Sequence, residues 1–246
     1  MIKPNYTLEE IKYCIDIPSY EKACNLYENN KVKNFKEEHY GTYTAKVEGT
    51  KTYDVSVDCI HYDVGSCNCY IGQQDILCKH MIAVAIYAIF RGKPLTNEDK
   101  NIITKPICSN IVKASTEGEI GSYKLAISVA LKRIKAYTGN SKKWFIYQDS
   151  LTEGTRRLSV ILSQFPINSE TTKLVINLLL KLDKKLQIGG VDDSDGTIGA
   201  LIMNTVDLLK EFAKSDKTII KEFKRFVNIQ TCFGWEEELV NMHSCY

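Results

Sequence analysis

Three cysteines and a histidine lie close together in the chain, at Cys67, Cys69, Cys78 and His80. Cys67 and Cys69 are two residues apart, so on an extended segment both thiolates project to the same side. Residues 70–77 include a glycine and a polar stretch, and they can return the chain to the same point. Three sulfur donors and one imidazole nitrogen form a complete tetrahedral set for Zn²⁺, and thiolates disfavour Mg²⁺ and Ca²⁺. The spacing therefore predicts one zinc ion with these four residues as its ligands.

The number of protein ligands indicates a structural metal. Catalytic zinc usually has three protein ligands and an open position for water or substrate, whereas this segment supplies four. The three aspartates of residues 189–196 do not fit the register of an EF-hand, and Asp195 is expected to cap a helix instead. The chain contains no phosphate-binding GxxxxGK[ST] loop and no Ser/His/Asp or Cys/His arrangement of informative spacing. We therefore expect no catalytic residues and no enzymatic activity.

Cys59 and His61 leave an alternative open at the metal site. They repeat the Cys-x-His spacing upstream, so either residue could replace a ligand or help to bind a second ion. A cysteine on the apolar face of a strand is more often part of the core, and a histidine in the following turn is more often exposed. The number of zinc ions per chain distinguishes these alternatives.

The segments around the four ligands have the patterns of a hairpin and a buried helix. In residues 42–59 apolar and polar positions alternate on both sides of a turn at 48–51, as in a β-hairpin. The alternation slips near Ile60, which predicts a bulge or a new strand leading to Cys67. Residues 79–90 are apolar almost all round, and Gly and Pro follow them, as expected for a short buried helix.

Helices are predicted on both sides of this region. Near the N-terminus, Thr7 and Glu10 have the spacing of a capping box, and Ser19 is expected to cap a second helix. Residues 113–122 have the composition of a linker. Beyond them, hydrophobic periodicity and turn signals predict further helices at 123–137, 144–165, 169–187, 197–214 and 217–226. A weak similarity between residues 176–185 and 206–215 is compatible with helical repeats, or with two similar amphipathic helices.

The order hairpin, Cys67-x-Cys69, short loop, Cys78-x-His80 and apolar helix resembles the SWIM zinc finger. The lead-in "YENNKVKNF" (27–35) is also similar to that of bacterial and archaeal members, and the resemblance covers roughly residues 20–90. Near the C-terminus, "FGWEE" (233–237) is similar to a short string found in such proteins. The resemblance implies a zinc-dependent module that binds DNA or protein. It leaves the target open, because none of the family's usual companion domains is visible.

The predicted fold class is α+β. Residues 1–115 are expected to form a SWIM-type zinc finger domain with N-terminal helices, and residues 116–246 an all-α domain, with helical repeats as one arrangement. The composition is 44% hydrophobic and 25% charged, as in soluble proteins, and the longest apolar run, 81–90, is about half of a membrane span. Nine cysteines without an export signal indicate reduced thiols and a cytoplasmic protein.

Two classes of partner are expected, and neither a membrane nor a small-molecule substrate is predicted. Binding of DNA or RNA has local support from basic residues near the finger and from interspersed tyrosines that could stack on bases. These residues are Lys31, Lys33, Lys36, Lys51, Lys79, Arg91 and Lys93, with Tyr40, Tyr43, Tyr62 and Tyr70. The formal net charge of only +2 argues against extensive phosphate contacts. The alternative is a protein-interaction scaffold built from the C-terminal helices, without nucleic-acid binding.

Overall fold

The computed structural model describes residues 3–39 and 41–246. The chain divides into two compact units, Met1–Ile102 and Ile103–Tyr246, each with its own apolar core. The α+β class is confirmed, because a four-stranded antiparallel sheet is combined with helices. Among the described residues, no helix combines the length and the apolar character that crossing a membrane requires.

Residues 103–115, which the sequence assigned to the first domain, pair with the second unit. The carbonyl oxygen of Ile111 accepts a hydrogen bond from the Ile167 amide at 2.7 Å, and that of Lys113 accepts one from Asn168 Nδ2 at 2.8 Å. These two hydrogen bonds tie the segment to the start of a helix in residues 103–246.

Two helices open the first unit, α1 (Leu8–Cys14) and α2 (Ile17–Glu28). The capping box of α1 is confirmed, since Thr7 Oγ1 accepts from the Glu10 amide at 3.2 Å and Glu10 Oε2 accepts from the Thr7 amide at 2.8 Å. The predicted cap of α2 is wrong. Asp16 is the cap, and its Oδ1 accepts from the Ser19 amide at 2.8 Å.

The sheet has the order β1–β2–β3–β4, all antiparallel. Its strands are β1 (Val32–Glu38), β2 (Thr42–Glu48), β3 (Thr52–Asp58) and β4 (Gly65–Cys67). The β2–β3 hairpin is confirmed, and β4 is the new strand expected before Cys67. Strand β1 was not predicted, because its pairing with β2 shifts between Lys33 and Lys36 and Asn34 has a positive φ of 52°. This bulge removes the alternation by which a strand is recognised.

Helix α3 (Lys79–Phe90) packs against the sheet and against α2 and is buried over most of its length, as predicted. Ile82 and Ile86 share its core with Tyr43, Val47 and Val57 of the hairpin, all fully buried. The helix ends with two residues of positive φ, which match the stop predicted there. A short helix, α4 (Asn97–Lys100), completes the unit.

The second unit is helical throughout. Its helices are α5 (Glu117–Leu131), α6 (Trp144–Ser163), α7 (Ser169–Gln187), α8 (Thr197–Ser215) and α9 (Glu237–Ser244). The last predicted helix is a 3₁₀ segment, Lys217–Phe226. The predicted helices over α6, α7 and α8 are confirmed to within two residues at each end. The helical-repeat arrangement stays a prediction.

Two predictions in this unit are wrong because the N-terminal caps of α5 and α8 were not recognised in the sequence. The expected linker at 113–122 contains the first turn of α5, because Thr116 and Glu119 form a capping box that the glycines obscured. At α8 the cap position is Gly196, and the Asp193 carboxylate accepts from the Ile198 and Gly199 amides at 2.6 and 2.8 Å. The Asp195 carboxylate accepts hydrogen bonds from the amide and hydroxyl of Thr197, and Asp195 does not occupy the cap position that the sequence suggested.

Candidate metal centre

The four predicted ligands converge at the junction of β4 with α3. Cys67 is the last residue of β4, Cys69 follows it, Cys78 caps α3 and His80 lies in the first turn of that helix. All four side chains are buried, and their ligand atoms lie within 4.8 Å of one another. Residues that are eleven or more positions apart along the chain, such as Cys67 and Cys78, therefore meet at one point.

The first pair of cysteines is positioned by the sheet. Cys67 pairs with Val55 of β3 in the antiparallel ladder. Asn68 continues this pairing, because its amide donates to the Asp54 carbonyl oxygen at 3.3 Å and its Oδ1 accepts from the Asp54 amide at 3.1 Å. Strand β4 ends at Cys67 and the chain bends at Asn68 and Cys69, so the bonds of Asn68 to Asp54 fix this bend and with it the positions of the two cysteines.

A tight turn after Cys69 leads the chain back toward the helix. The Gln73 amide donates to the Cys69 carbonyl oxygen at 2.9 Å, and the Gly72 amide donates to Cys69 Sγ at 3.3 Å. A Cβ at Gly72 would lie 2.4 Å from the carbonyl oxygen of Cys67, so only glycine fits there. The N–H···S contact fixes the position of the Cys69 sulfur at the start of the turn.

The second pair is positioned by the start of α3. Cys78 has extended backbone angles and precedes the first helical residue, so its sulfur lies at the positive end of the helix dipole. The pKa of Cys78 is lowered to about 4, chiefly by a hydrogen bond from the Cys67 thiol and further by His80 and the Met81 amide. The same contact and burial raise the pKa of Cys67. Metal binding by thiols requires their deprotonated form, so a cation bound here would replace the thiol protons.

His80 directs its Nδ1 atom to the sulfurs, at 3.7 Å from Cys67 Sγ and 3.8 Å from Cys78 Sγ. Its ring stacks on Tyr53 of β3, with 4.2 Å between ring centroids and 27° between planes. Nε2 is buried and has no hydrogen-bond partner among the described residues. A Cβ at Gly49, in the hairpin turn, would lie 3.4 Å from Nε2 and 3.1 Å from the Tyr53 ring. The hairpin therefore covers the imidazole and leaves Nδ1 as the nitrogen that can bind a metal.

The geometry of the donors fits zinc. Bond lengths of about 2.3 Å for sulfur and 2.0–2.1 Å for nitrogen in a tetrahedron separate S and N by roughly 3.5 Å and two sulfurs by roughly 3.8 Å. The two measured S···N distances of 3.7 and 3.8 Å are close to this value. The widest separation in the cluster, up to 4.8 Å, needs only a small contraction. The donor set is therefore one in which a single Zn²⁺ would be fully coordinated.

Cys59 and His61 lie elsewhere. Among the described residues the only cluster of metal-type ligands contains neither of them. The Cys59 amide donates to the Gly41 carbonyl oxygen at 2.7 Å, and a Cβ at Gly41 would lie 2.6 Å from Cys59 Sγ, so this thiol packs against backbone. His61 is exposed in the turn that precedes β4.

The tyrosines expected to stack on bases are mostly core residues. Tyr43 is fully buried, and Tyr62 is buried and donates from Oη to the Glu10 carbonyl oxygen at 3.1 Å. Tyr70 is exposed, at 76% of its surface, while Tyr40 lies outside the described residues.

The basic residues near the four candidate ligands differ in their pairing. Arg91 forms an ion pair of 2.8 Å with Glu37 and lies over the Phe35 ring, and Lys31 lies 3.4 Å from Glu48. Lys33, Lys36, Lys51 and Lys93 are exposed, and Lys79 is half-buried. The four residues that the sequence grouped together do converge, whereas the basic residues around them do not form a contiguous surface.

Two residues of the centre were missed by sequence reasoning, Tyr53 and Gly72. Tyr53 carried a usable signal, because it belongs to the inward-facing set of β3 and that set must face the buried helix. Gly72 was treated as a source of flexibility, whereas its role is a close backbone approach that no pattern of residue types reveals.

Comparison of the chain with known proteins found no matching family model, no matching curated protein and no matching solved structure. The function therefore has to be inferred from the residues of the site.

Proposed function

We propose that the protein binds one structural Zn²⁺ through Cys67, Cys69, Cys78 and His80, and that this unit is a SWIM-type zinc finger serving as a binding module. The observation that carries the proposal is the convergence of four buried donor groups within 4.8 Å. The order of hairpin, Cys-x-Cys, loop, Cys-x-His and helix supports the assignment to that family. A bound zinc ion would supply a fixed crosslink between β4 and α3.

A structural role follows from the number and burial of the donors. Four protein ligands complete a tetrahedral shell, so no position remains for substrate or water. Binding of zinc to such a site contributes about 10–16 kcal/mol in finger peptides, which equals or exceeds the net stability of a typical domain, about 5–15 kcal/mol. The chain's own residues then do the recognition, and the protein acts as a binding component without catalytic activity.

A protein is the favoured partner of the finger. The loop that carries the ligands exposes three large apolar side chains, Tyr70, Ile71 and Ile76. Residues 1–102 contain 12 basic and 14 acidic side chains, so this unit has a net charge of −2 and little attraction for phosphates. Exposed apolar side chains on a rigid loop are typical of contacts with another protein.

A nucleic-acid target is the second candidate, and one observation favours it. Residues 103–246 contain 20 basic and 16 acidic side chains, a net charge of +4, so the basic excess of the chain lies in the helical unit. The helical unit as a scaffold for protein partners is the remaining alternative. We assign the protein to the reducing cytoplasm as part of this proposal, because thiolate ligands require reduced cysteines, and all nine are free.

The zinc proposal is tested by metal analysis. Protein purified under reducing conditions should contain one zinc ion per chain by elemental analysis and native mass spectrometry. Substitution by Co²⁺ should give the absorption of tetrahedral thiolate coordination, and Cys69→Ser should weaken it. Cys59→Ser is the matched control and should retain one ion. A metal-free native protein, or two ions per chain, would contradict the proposed site.

The partner is tested by co-purification from the protein's own cells with and without nuclease. A complex that survives nuclease treatment and is lost on Tyr70→Ala with Ile71→Ser supports a protein partner for the finger. A complex that dissociates on nuclease treatment contradicts a protein partner for the finger and favours a nucleic-acid target.

A further inference from the structure

The helical unit contains a long segment with basic residues and no acidic ones. Between Glu119 and Asp149 the chain has six basic residues and no aspartate or glutamate. They are Lys124, Lys132, Arg133, Lys135, Lys142 and Lys143. A run of this kind concentrates positive potential, although the whole chain is nearly neutral.

The backbone of this segment is fixed after α5 ends. The carbonyl oxygens of three consecutive residues accept side-chain hydrogen bonds: Arg133 from Ser150 Oγ at 3.0 Å, Ile134 from Lys185 Nζ at 2.6 Å, and Lys135 from Tyr147 Oη at 2.9 Å. The lysines that flank these carbonyls therefore project from a rigid support, which lowers the entropy cost of binding a ligand.

An open cavity of 490 Å³ lies at this point of the surface. Lys132, Lys135 and Lys185 line it, together with Ser128 and two aliphatic side chains, and no acidic residue does. Lys132 and Lys135 are exposed, and among the described residues neither forms an ion pair. Their neighbour Arg133 does form an ion pair, with 3.2 Å between its Nε atom and Glu153 Oε1. The cavity thus presents positive charge that the helical unit does not neutralise.

Lysines near helix C-termini often stabilise the ends of those helices, and one of the three does so here. Lys185 lies in the last turn of α7 and bonds a carbonyl oxygen, so it has a structural role as well as a charge. Lys132 is the C-cap residue of α5, where a cation is also favourable, but among the described residues neither Lys132 nor Lys135 pairs with a carboxylate.

The continuation of the segment adds an aromatic side chain. Lys142 and Lys143 are exposed just before α6, and Phe145 in its first turn is exposed over 73% of its surface. One acidic residue contacts this end of α6: Asp192 Oδ2 accepts from Trp144 Nε1 at 3.1 Å. Exposed lysines beside an exposed aromatic ring match the needs of a strand whose phosphates and bases are both accessible.

We propose that the exposed residues of this segment, Lys132 and Lys135 at the cavity and Lys142, Lys143 and Phe145 further along the chain, bind single-stranded nucleic acid together with Lys185, with phosphates at the lysines and a base stacked on Phe145. It goes beyond the metal centre and does not depend on it. An anionic lipid surface would also attract lysines, but it is broad and flat, whereas a single strand can follow a cavity of this size. Duplex DNA is disfavoured because its bases cannot reach Phe145.

The test uses the full-length, zinc-loaded protein and a fluorescein-labelled, mixed-sequence single strand of about 20 nucleotides, as DNA and as RNA. Fluorescence anisotropy at increasing NaCl should show log K falling linearly with log[salt], with a slope of about −0.7 for each phosphate contact. Lys132→Gln with Lys135→Gln should weaken binding at least about tenfold at low salt and make the slope shallower by about 1.4. Phe145→Ala should weaken binding about fivefold or more without changing the slope.

Two further variants keep the result interpretable. Lys210→Gln with Lys214→Gln removes the same charge from α8, where both lysines pair with carboxylates, and should leave binding within about twofold of the parent. Lys132→Arg with Lys135→Arg keeps the charge and should retain binding. All variants should keep one zinc ion per chain, so a loss of strand binding is distinct from a loss of the metal.

Three results would overturn the proposal. The first is no binding of the strands at about 50 mM salt, where phosphate contacts are strongest. The second is a loss of strand affinity in the α8 control variant equal to that in Lys132→Gln with Lys135→Gln. The third is binding to vesicles that contain phosphatidylserine without binding to the strands. The third result would show that these lysines and Phe145 bind a lipid surface instead.

Discussion

The cores of the two units contain different types of side chain. In residues 3–102, the core between sheet and helix includes three buried cysteines and a buried histidine that converge on one point. In residues 103–246, the core consists of aliphatic and aromatic side chains from α5 to α9 and the 3₁₀ segment, and the structure describes no comparable cluster of ligands there.

Buried ionisable groups differ between the units as well, although Gln148 Oε1 and His243 Nδ1 of the helical unit are also buried without a described partner. In the helical unit, Asp183 accepts from the Cys232 amide at 2.8 Å and from Trp235 Nε1 at 3.0 Å, and Glu153 pairs with Arg133 and Arg157. In the finger, His80 Nε2 is buried and unpaired, and the pKa of the neighbouring Cys67 is raised. Fully paired polar groups stabilise a core by themselves, whereas buried ligands without a cation are costly. The first unit is therefore the one in which a bound ion would satisfy a cluster of buried donor groups.

The largest effect should come from breaking the metal site. Cys67→Ser or Cys78→Ser should release zinc and unfold at least residues 40–92, because the crosslink contributes on the order of 10 kcal/mol. Hydrogen exchange followed by mass spectrometry should show loss of protection in β2, β3 and α3, while α7 and α8 remain protected.

The matched control for this experiment is Cys14→Ser, an exposed cysteine of the same unit, which should keep both zinc and protection. If a ligand variant loses zinc but its exchange pattern stays native, the ion is not what holds the finger together. If α7 and α8 lose protection as well, the two units do not differ in the way described.

A cavity in the helical core should destabilise the other unit without affecting the metal. Phe212 is fully buried on α8, and Phe212→Ala should cost about 3–5 kcal/mol of the free energy of unfolding. Denaturant unfolding measured at Trp144 and Trp235, both in this unit, should report the loss, and the zinc content should stay at one ion per chain. A parallel loss of zinc would show that the ion depends on the helical core.

Alkaline pH should destabilise the first unit. Burial raises the pKa of Cys24 in α2 from an ordinary value near 9 to about 11, and it raises that of Tyr43 to about 12. For Cys24, the unfolded chain loses its proton first as the pH rises above 9. Stability is therefore full below pH 9 and falls between pH 9 and 11, by on the order of 2 kcal/mol.

The measurement is the free energy of unfolding of each unit as a function of pH, followed by exchange or by local fluorescence probes. Cys24→Ala should lower stability at neutral pH but flatten the decline of the finger between pH 9 and 11. An equally steep decline in that variant would mean that another group causes the alkaline loss.

How much the sequence predicted also differs between the units. Spacing alone identified Cys67, Cys69, Cys78 and His80 as one group, because ligand types at short intervals leave few arrangements. Helix periods predicted α6 to α8 with nearly correct ends, because long amphipathic patterns report a buried face directly.

Elsewhere, local chemistry competed with the pattern. The bulge at Asn34 removed the alternation of β1, and the glycines of residues 113–122 concealed the cap formed by Thr116 and Glu119. The contact between Tyr53 and His80 depends on the register of β3 against α3, which is set by the packing of distant residues. Such features become visible only when the fold has brought the segments together.

The smallest effect tests that contact. Tyr53 stacks on the imidazole of His80, and its Oη lies 2.8 Å from Thr50 Oγ1 in the hairpin turn. If the ring holds Nδ1 toward the sulfurs, Tyr53→Ala should weaken zinc binding about 10- to 100-fold, as removal of groups behind a metal ligand typically does. Competition with a chromophoric chelator measures this loss, and Co²⁺ absorption reports any change in coordination.

Tyr53→Phe distinguishes the two roles of the side chain. It keeps the stacked ring and removes only the hydroxyl, so zinc affinity should remain within a few-fold of the parent. If Tyr53→Phe lost as much zinc affinity as Tyr53→Ala, the hydrogen bond between Tyr53 Oη and Thr50 would be the cause of the loss. Unchanged affinity in both variants would show that α3 alone orients His80, and that the hairpin covers the metal site without shaping it.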